Sequence, residues 1–277
     1  MDLWEDNYLA HYGIQKQRWG VRRFQNKDGS LTPEGRRRYT DFKRASRAVK
    51  EKASNKIMPF IKAPMNLDTV RKRGDISEEE AGICAKIANR LFNRVSKIEP
   101  KITKDVVSAV DDSGCTMYGL DKRLKQPTSI ASKIGANAKE DNISFEEAGE
   151  TIKDAIRYTS VSDDSGFVVN YNNIKNALSN KGYTETRCRN YFAFYKEGKV
   201  KHKSVQCIFV DSEGNPFEIQ FQTYASQAVK DLKVPLYEEA RSKKTSASRK
   251  NEIEKIMQDL AEQIDYPKDV MSIRSYG

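Results

Sequence analysis

The chain has 277 residues, 38% of them hydrophobic and 32% charged, with 15 glycines and 8 prolines. That excludes a collagen-like or wholly disordered protein and leaves length enough to bury one large or two ordinary cores. No apolar run approaches the roughly 20 residues that cross a bilayer, and Met1-Asp2-Leu3-Trp4-Glu5-Asp6 lacks the basic and apolar regions of a secretory signal, so neither a membrane partner nor export is expected. The net charge is +10, and residues 1–75 hold 18 Lys and Arg against 9 Asp and Glu. A basic arm therefore joins a nearly neutral body, and clustered cations of this kind attract phosphate polymers or acidic protein surfaces.

Cys84, Cys115, Cys188 and Cys207 form no C-x-x-C pair and have no nearby histidine. They read as packing residues in a reducing compartment, not as zinc ligands. With only His11 and His202 present, Ser-His-Asp or Cys-His hydrolysis has little to work with.

In chain order, residues 41–75 alternate basic and small apolar positions around Pro59 and Pro64, which predicts a helix-prone basic linker. Ser77-Glu78-Glu79-Glu80 is a capping box and starts a helix whose stripe is Ile83, Ile87, Leu91, Phe92 and Val95. Pro100 is expected to end it, with a second helix over 102–111. Next come an extended stretch from Met117 to Lys125, helices at 128–138 and 144–153, a strand at 155–161 and a helix at 168–180. Strands at 183–194, 204–211 and 217–223 form an antiparallel meander, the last pair joined by Ser212-Glu213-Gly214-Asn215. Helices at 225–242 and 247–264 close the chain. The expected class is α+β, a mixed, mostly antiparallel sheet of about five strands flanked by helices.

Two sets of residues carry possible chemistry. Period-two alternation puts Arg123 and Lys125 on one face of an extended stretch, and Ser129 and Lys133 follow on a helix whose amino end suits phosphate oxygens. By spacing alone a solvated basic edge is the commoner explanation. Asp154 opens one strand, and Glu218 lies on another where Glu218, Gln220 and Gln222 oppose Phe217, Ile219 and Phe221. Were these strands neighbours, Asp154 and Glu218 could share a Mg²⁺ that also binds nucleotide phosphates.

Residues 8–39, with His11-Tyr12-Gly13-Ile14, Arg18-Trp19-Gly20-Val21-Arg22-Arg23-Phe24-Gln25-Asn26 and Asp28-Gly29-Ser30-Leu31-Thr32-Pro33, resemble a module that precedes varied domains in phage and prophage proteins. A local reading is a small hairpin-like unit with Trp19, Tyr12 and Phe24 as its core. The resemblance implies a targeting or packaging role, with phage structural proteins or DNA as partners of the basic arm, and a location in the virion or the host cytoplasm.

Taken in order, Arg123-Leu124-Lys125, Ser129-Ile130, Lys133, Asp154, Arg157, Glu218-Ile219-Gln220 and Thr223 resemble the motifs of the RelA/SpoT synthetase family over about residues 80–245. The resemblance implies a pyrophosphokinase that moves pyrophosphate from ATP to a ribose 3′-hydroxyl, with Mg²⁺ as cofactor. By it, Arg123, Lys125, Ser129, Lys133 and Arg157 hold ATP, Asp154 and Glu218 bind metal, and Glu218 activates the acceptor, beside Gln220. The family's stacking tyrosine aligns with His202 and its final histidine with Gln206, which leaves the acceptor open among a guanine nucleotide, an adenine nucleotide and a tRNA end. The hydrolase domain of long members has no counterpart. The implied organisation is a phage-type module at 1–40, a linker at 41–75, a catalytic domain at 76–245 and a terminal helix and tail at 246–277, together a phage-encoded toxin or effector. The competing reading is a non-enzymatic virion or nucleic-acid-binding protein with a degenerate pocket.

Overall fold

A computed structural model describes Ser30 and residues 32–200, 202–241 and 245–277. Nearly all of the N-terminal module falls outside these residues. Its last letters start the first helix, α1 (Pro33–Lys52): the Thr32 hydroxyl accepts from the Gly35 amide at 3.0 Å, and Pro33 takes the first turn, where its missing N–H costs nothing.

After α1 the chain runs without regular structure to Asn66, as a strap. Asn55 pins it by donating to Asp111 Oδ1 (2.7 Å) and accepting from the Met117 amide (2.8 Å). Further along, the Gln126 side chain grips both Ala63 N (2.9 Å) and Ile61 O (2.8 Å). The stretch expected as a linker thus lies against the body, and in α2 (Leu67–Gly74) Val70 is wholly buried. A Cβ on Gly135 would stand 3.4 Å from Gly74 Cα and 2.8 Å from Ile76 Cδ1, so glycine there is what lets α2 approach α4 (Pro127–Asp141).

The capping box forms as expected, with Ser77 N donating to Glu80 Oε2 (2.7 Å) and Glu80 N to Ser77 Oγ (3.2 Å). The helix it starts, α3 (Glu78–Asp112), does not stop at Pro100 but runs 35 residues through it. An interior proline costs about 3 kcal/mol. Beyond it α3 buries Ile102, Val106, Ala109 and Val110, and at about 1.5–3 kcal/mol for each large aliphatic the packing outweighs the lost hydrogen bond.

Five strands, β1 (Thr116–Met117), β2 (Arg157–Ser162), β3 (Thr184–Asn190), β4 (Val205–Val210) and β5 (Pro216–Thr223), pair in the order β1-β2-β5-β4-β3. The β2–β5 pairing is parallel and the others antiparallel, which is the mixed α+β sheet expected, with the β3–β4–β5 meander in place. The extended stretch 117–125 is broken: Gly119 at φ +68 turns the chain into a 3-10 turn at Leu120–Lys122, and only Leu124 bridges Ile156. The strand expected to reach residue 194 ends at Asn190, whose side chain accepts from Phe192 N (3.1 Å) and caps the short helix α7 (Tyr191–Lys196). The remaining helices are α5 (Phe145–Glu150), α6 (Phe167–Asn180), α8 (Tyr224–Arg241) and α9 (Ala247–Glu262).

One sheet face is the core. Phe217 meets Tyr158 and Tyr183 edge-on, with centroids 6.1 and 5.3 Å away, and Tyr171 of α6 meets Phe221 at 5.1 Å. Alternation then places Arg157, Thr159, Glu218, Gln220, Gln222, Gln206 and Arg189 together on the other face. No helix among the described residues is long and apolar enough to cross a membrane.

Candidate active site

The polar face has a defined register. Arg157 on β2 lies opposite Glu218 on β5, and Gln220 lies between Thr159 and Gln206 on its two neighbours. Glu218 and Gln220 are nonetheless buried, so their polar atoms need partners. Lys230 Nζ on α8 donates to Gln220 Oε1 (2.7 Å), and Gln220 Nε2 donates to Glu218 Oε1. This chain fixes the orientation of the Gln220 amide and aims the carboxylate. Thr223 and Ser226 set where α8 leaves the sheet by exchanging amide-to-hydroxyl bonds of 2.9 and 3.0 Å. Lys230 is exposed as a residue, but its ammonium, held by Gln220, is partly desolvated by the protein around it. That burial, with the Arg157 charge, outweighs the pull of Glu218 and Asp231 and brings its pKa down to about 8.

Beside this row is an ion triad. Asp154 accepts from Lys125 Nζ at 2.5 Å through one oxygen and from Lys133 Nζ at 2.9 Å through the other. Burial raises the Asp154 pKa, but the two ammonium groups outweigh it and hold the carboxyl at about 2. Lys125 is pushed down instead: its burial exceeds the attraction of Asp154, and Lys133 and Arg157 add repulsion. The two shifts act oppositely on stability. A cation held this way beside two others raises the local positive potential where Arg157 enters the polar row.

Each residue singled out in the sequence has a definite place. Lys125, Lys133 and Asp154 form one cluster, Arg157, Glu218 and Gln220 lie in the polar row, and the Arg157 charge acts on both Lys125 and Lys230. Ser129 is half-buried in the first turn of α4, a helix with no side-chain cap. Asp154 and Glu218 have separate partners: both Asp154 oxygens are engaged by lysines, and Glu218 is engaged by Gln220.

Arg123 goes elsewhere. Its backbone is helical (φ −64°, ψ −25°), which defeats the alternation that paired it with Lys125. Its guanidinium is buried against Glu99, with Nε 2.5 Å from the carboxylate and Nη1 donating to Met58 O (2.7 Å) and Leu120 O (2.9 Å). It therefore holds the strap to the core and is not part of the cationic cluster.

His202 lies on the surface against Tyr191, ring centroids 4.2 Å apart; crowding by protein, then Lys233 and Lys230, lowers its pKa to about 4. The ring is thus neutral at pH 7 and offers a flat face. Lys203, next to it in the chain, is buried. Its ammonium donates to Ile264 O (2.5 Å) between the rings of Tyr195 (4.6 Å) and Tyr266 (4.3 Å). Lys201 lies outside the described residues.

Lys230 and Glu99 were missed in the sequence. Lys230 sits a helical turn beyond Ser226, and the Thr223-x-x-Ser226 pair that positions it was the available signal. Glu99 follows the apolar stripe of α3 and carried no signal of its own.

No protein-family model matches the chain, and no curated protein matches it. Among solved structures the chain is similar to the small alarmone synthetase 1 from Bacillus subtilis bound to its product pppGpp, at 21% identity over 50% of this chain and 69% of that one, TM-score 0.38. It is similar to a GTP pyrophosphokinase family protein from Streptococcus pneumoniae at 16% identity, over 71% of this chain and 92% of that one, TM-score 0.38. It is also similar to the Type VI effector Tas1, solved with its immunity protein, at 14% identity over 65% and 98%, TM-score 0.38. Likenesses with TM-scores this low decide no chemistry, and what the site does is argued from its own residues.

Proposed function

We propose that the polar face is the active site of a pyrophosphokinase that transfers pyrophosphate from ATP to the 3′-hydroxyl of a nucleotide or tRNA. The observation that supports it is the sequence of charges along this face: Lys125 and Lys133 on Asp154, Arg157 opposite Glu218, and Lys230 on the Gln220 amide that aims the Glu218 carboxylate. Triphosphate oxygens replace Asp154 as partners of Lys125 and Lys133, with the amino end of α4 and Ser129 alongside. Arg157 and Lys230 balance the charge that builds on the transferred group. Glu218 accepts the proton as the acceptor oxygen bonds to the β-phosphorus; the bond to the bridging oxygen of the α-phosphate breaks and AMP leaves. The neutral ring of His202 gives the acceptor base a stacking surface.

Hard carboxylate oxygens suit Mg²⁺. Glu218 would hold it, joined by Asp154 once its lysines move to the phosphates. When bound, the ion neutralises phosphate charge.

In biological terms the reading is a phage-encoded toxin or effector whose basic N-terminal module docks it to phage structural proteins or DNA. One observation favours a second reading, a non-enzymatic virion or nucleic-acid-binding protein: both oxygens of Asp154 are taken and Arg123 is committed to Glu99. The test is incubation with γ-labelled ATP, Mg²⁺ and, in turn, GDP, GTP, AMP, ADP and bulk tRNA. Label reaching one acceptor with the parent protein and not with Glu218→Gln supports the enzyme, and no transfer to any acceptor supports the second reading.

A further inference from the structure

On the opposite face of the sheet, away from the proposed site, β3 carries an irregularity with a chemical consequence. Glu185 pairs with Phe209 but Arg187 pairs with Ile208, so two steps of β3 oppose one of β4. In a regular strand residues three apart point to opposite faces; the bulge turns Glu185 onto the same face as Cys188. Cys188 in turn lies directly opposite Cys207. Its N–H and C=O both bond outward to Tyr276, at 3.0 and 2.8 Å, so Cys188 and Cys207 form a non-hydrogen-bonded pair, the kind in which facing side chains come closest. The carboxylate oxygen and both sulfurs lie within 4.8 Å of one another.

We propose that Glu185, Cys188 and Cys207 form a structural site for a zinc-class divalent cation. Two thiolates and one carboxylate suit a borderline-soft tetrahedral ion, which holds sulfur at about 2.3 Å and oxygen at about 2.0–2.2 Å. Its ligand atoms then lie roughly 3.7 Å apart, against present separations of no more than 4.8 Å. Surrounding groups are placed as an outer shell. Lys175 Nζ is 3.1 Å from Glu185, and the Tyr276 hydroxyl also bonds that carboxylate. The Tyr171 hydroxyl, 3.1 Å from Glu185 and 3.8 Å from Cys188 Sγ, is placed to hold a water as fourth ligand. A divalent ion, two thiolates, Glu185 and Lys175 sum to zero charge, which suits the edge of an apolar core. Tail residues 275–277 bond to β3 beside the site, so metal binding fastens the tail and β3 to the core. The other two cysteines, Cys84 and Cys115, remain packing residues. The four cysteines showed no zinc spacing in the sequence because strand register brings these ligands together, across 22 positions.

The test is to reduce the full chain, strip it with chelator and titrate it with Co²⁺. The proposal expects thiolate-to-cobalt charge-transfer bands in the near ultraviolet that saturate at one ion per chain and disappear when Zn²⁺ displaces the cobalt. About two protons should be released per ion bound, because both thiols must ionise. Cys188→Ser should abolish the bands, Glu185→Gln should weaken binding at least about tenfold, and Cys84→Ser should change neither. Absence of a stoichiometric band in the parent protein overturns the proposal, as does a band that survives Cys188→Ser. The parent titration and its proton count do not depend on any variant folding.

Discussion

Arg157 and Glu218 face each other across the parallel β2–β5 pair, a cation and a carboxylate side by side on the polar face of the sheet. Glu218→Gln keeps the volume and the bond to Gln220 but removes the base. It is expected to leave thermal stability within about 1 kcal/mol of the parent and to lower turnover by roughly 10²–10⁴. Parallel melting curves and label-transfer rates check it; loss of fold and activity together would mean that Glu218 acts through structure.

Lys230 predicts a pH dependence. Its ammonium is charged below its pKa of about 8 and neutral above it, so affinity for a non-hydrolysable ATP analogue should fall as pH rises through about 8. Lys230→Met should bind more weakly at pH 7 and show a flatter profile. Calorimetric titration from pH 6.5 to 9.5 distinguishes this from a profile identical in both proteins.

Asp154 predicts acid sensitivity. Its folded pKa of about 2 lies below the usual 3.8, so its contribution to stability is fully present above about pH 4 and is lost as pH falls towards 2. It amounts to about 2 kcal/mol as an order of magnitude, before the opposing burial of Lys125. Urea unfolding of the parent and Asp154→Asn at pH 7, 4 and 2.5 should show a gap that narrows with acid. A gap independent of pH would remove the electrostatic account.

Arg123 is assigned to structure, and its partner tests that. Arg123→Met leaves Glu99 buried without its cation and should cost about 3–5 kcal/mol, whereas Glu99→Met with Arg123→Met should recover most of the loss. Denaturant midpoints of the singles and the double decide it. A stable Arg123→Met that has lost only ATP binding would return the residue to the phosphate site.

What could be read in the sequence was what depends on local pattern. The Ser77 capping box, the meander and the alternation that puts Glu218 and Gln220 opposite Phe217 and Ile219 are set by neighbouring residues, and they appear as expected. Pro100 failed because long-range burial of Ile102 and Val106 overrides a local breaker. Arg123 failed because period two holds only for extended backbone, and a positive-φ glycine four residues earlier had already turned the chain. In the site, the types and order of residues were visible, but Lys230 and the two lysines on Asp154 are distant contacts without a spacing signature. Cys188, Cys207 and Glu185 needed both a register and a bulge.

The most direct measurement of the central claim follows both products of one reaction by anion-exchange chromatography and mass spectrometry. With the parent protein, Mg²⁺, ATP and the accepting nucleotide or tRNA, the account predicts AMP and an acceptor heavier by a diphosphate in equal amounts, with neither formed by Glu218→Gln. ADP and inorganic phosphate in their place, or unchanged ATP with every acceptor, would contradict it.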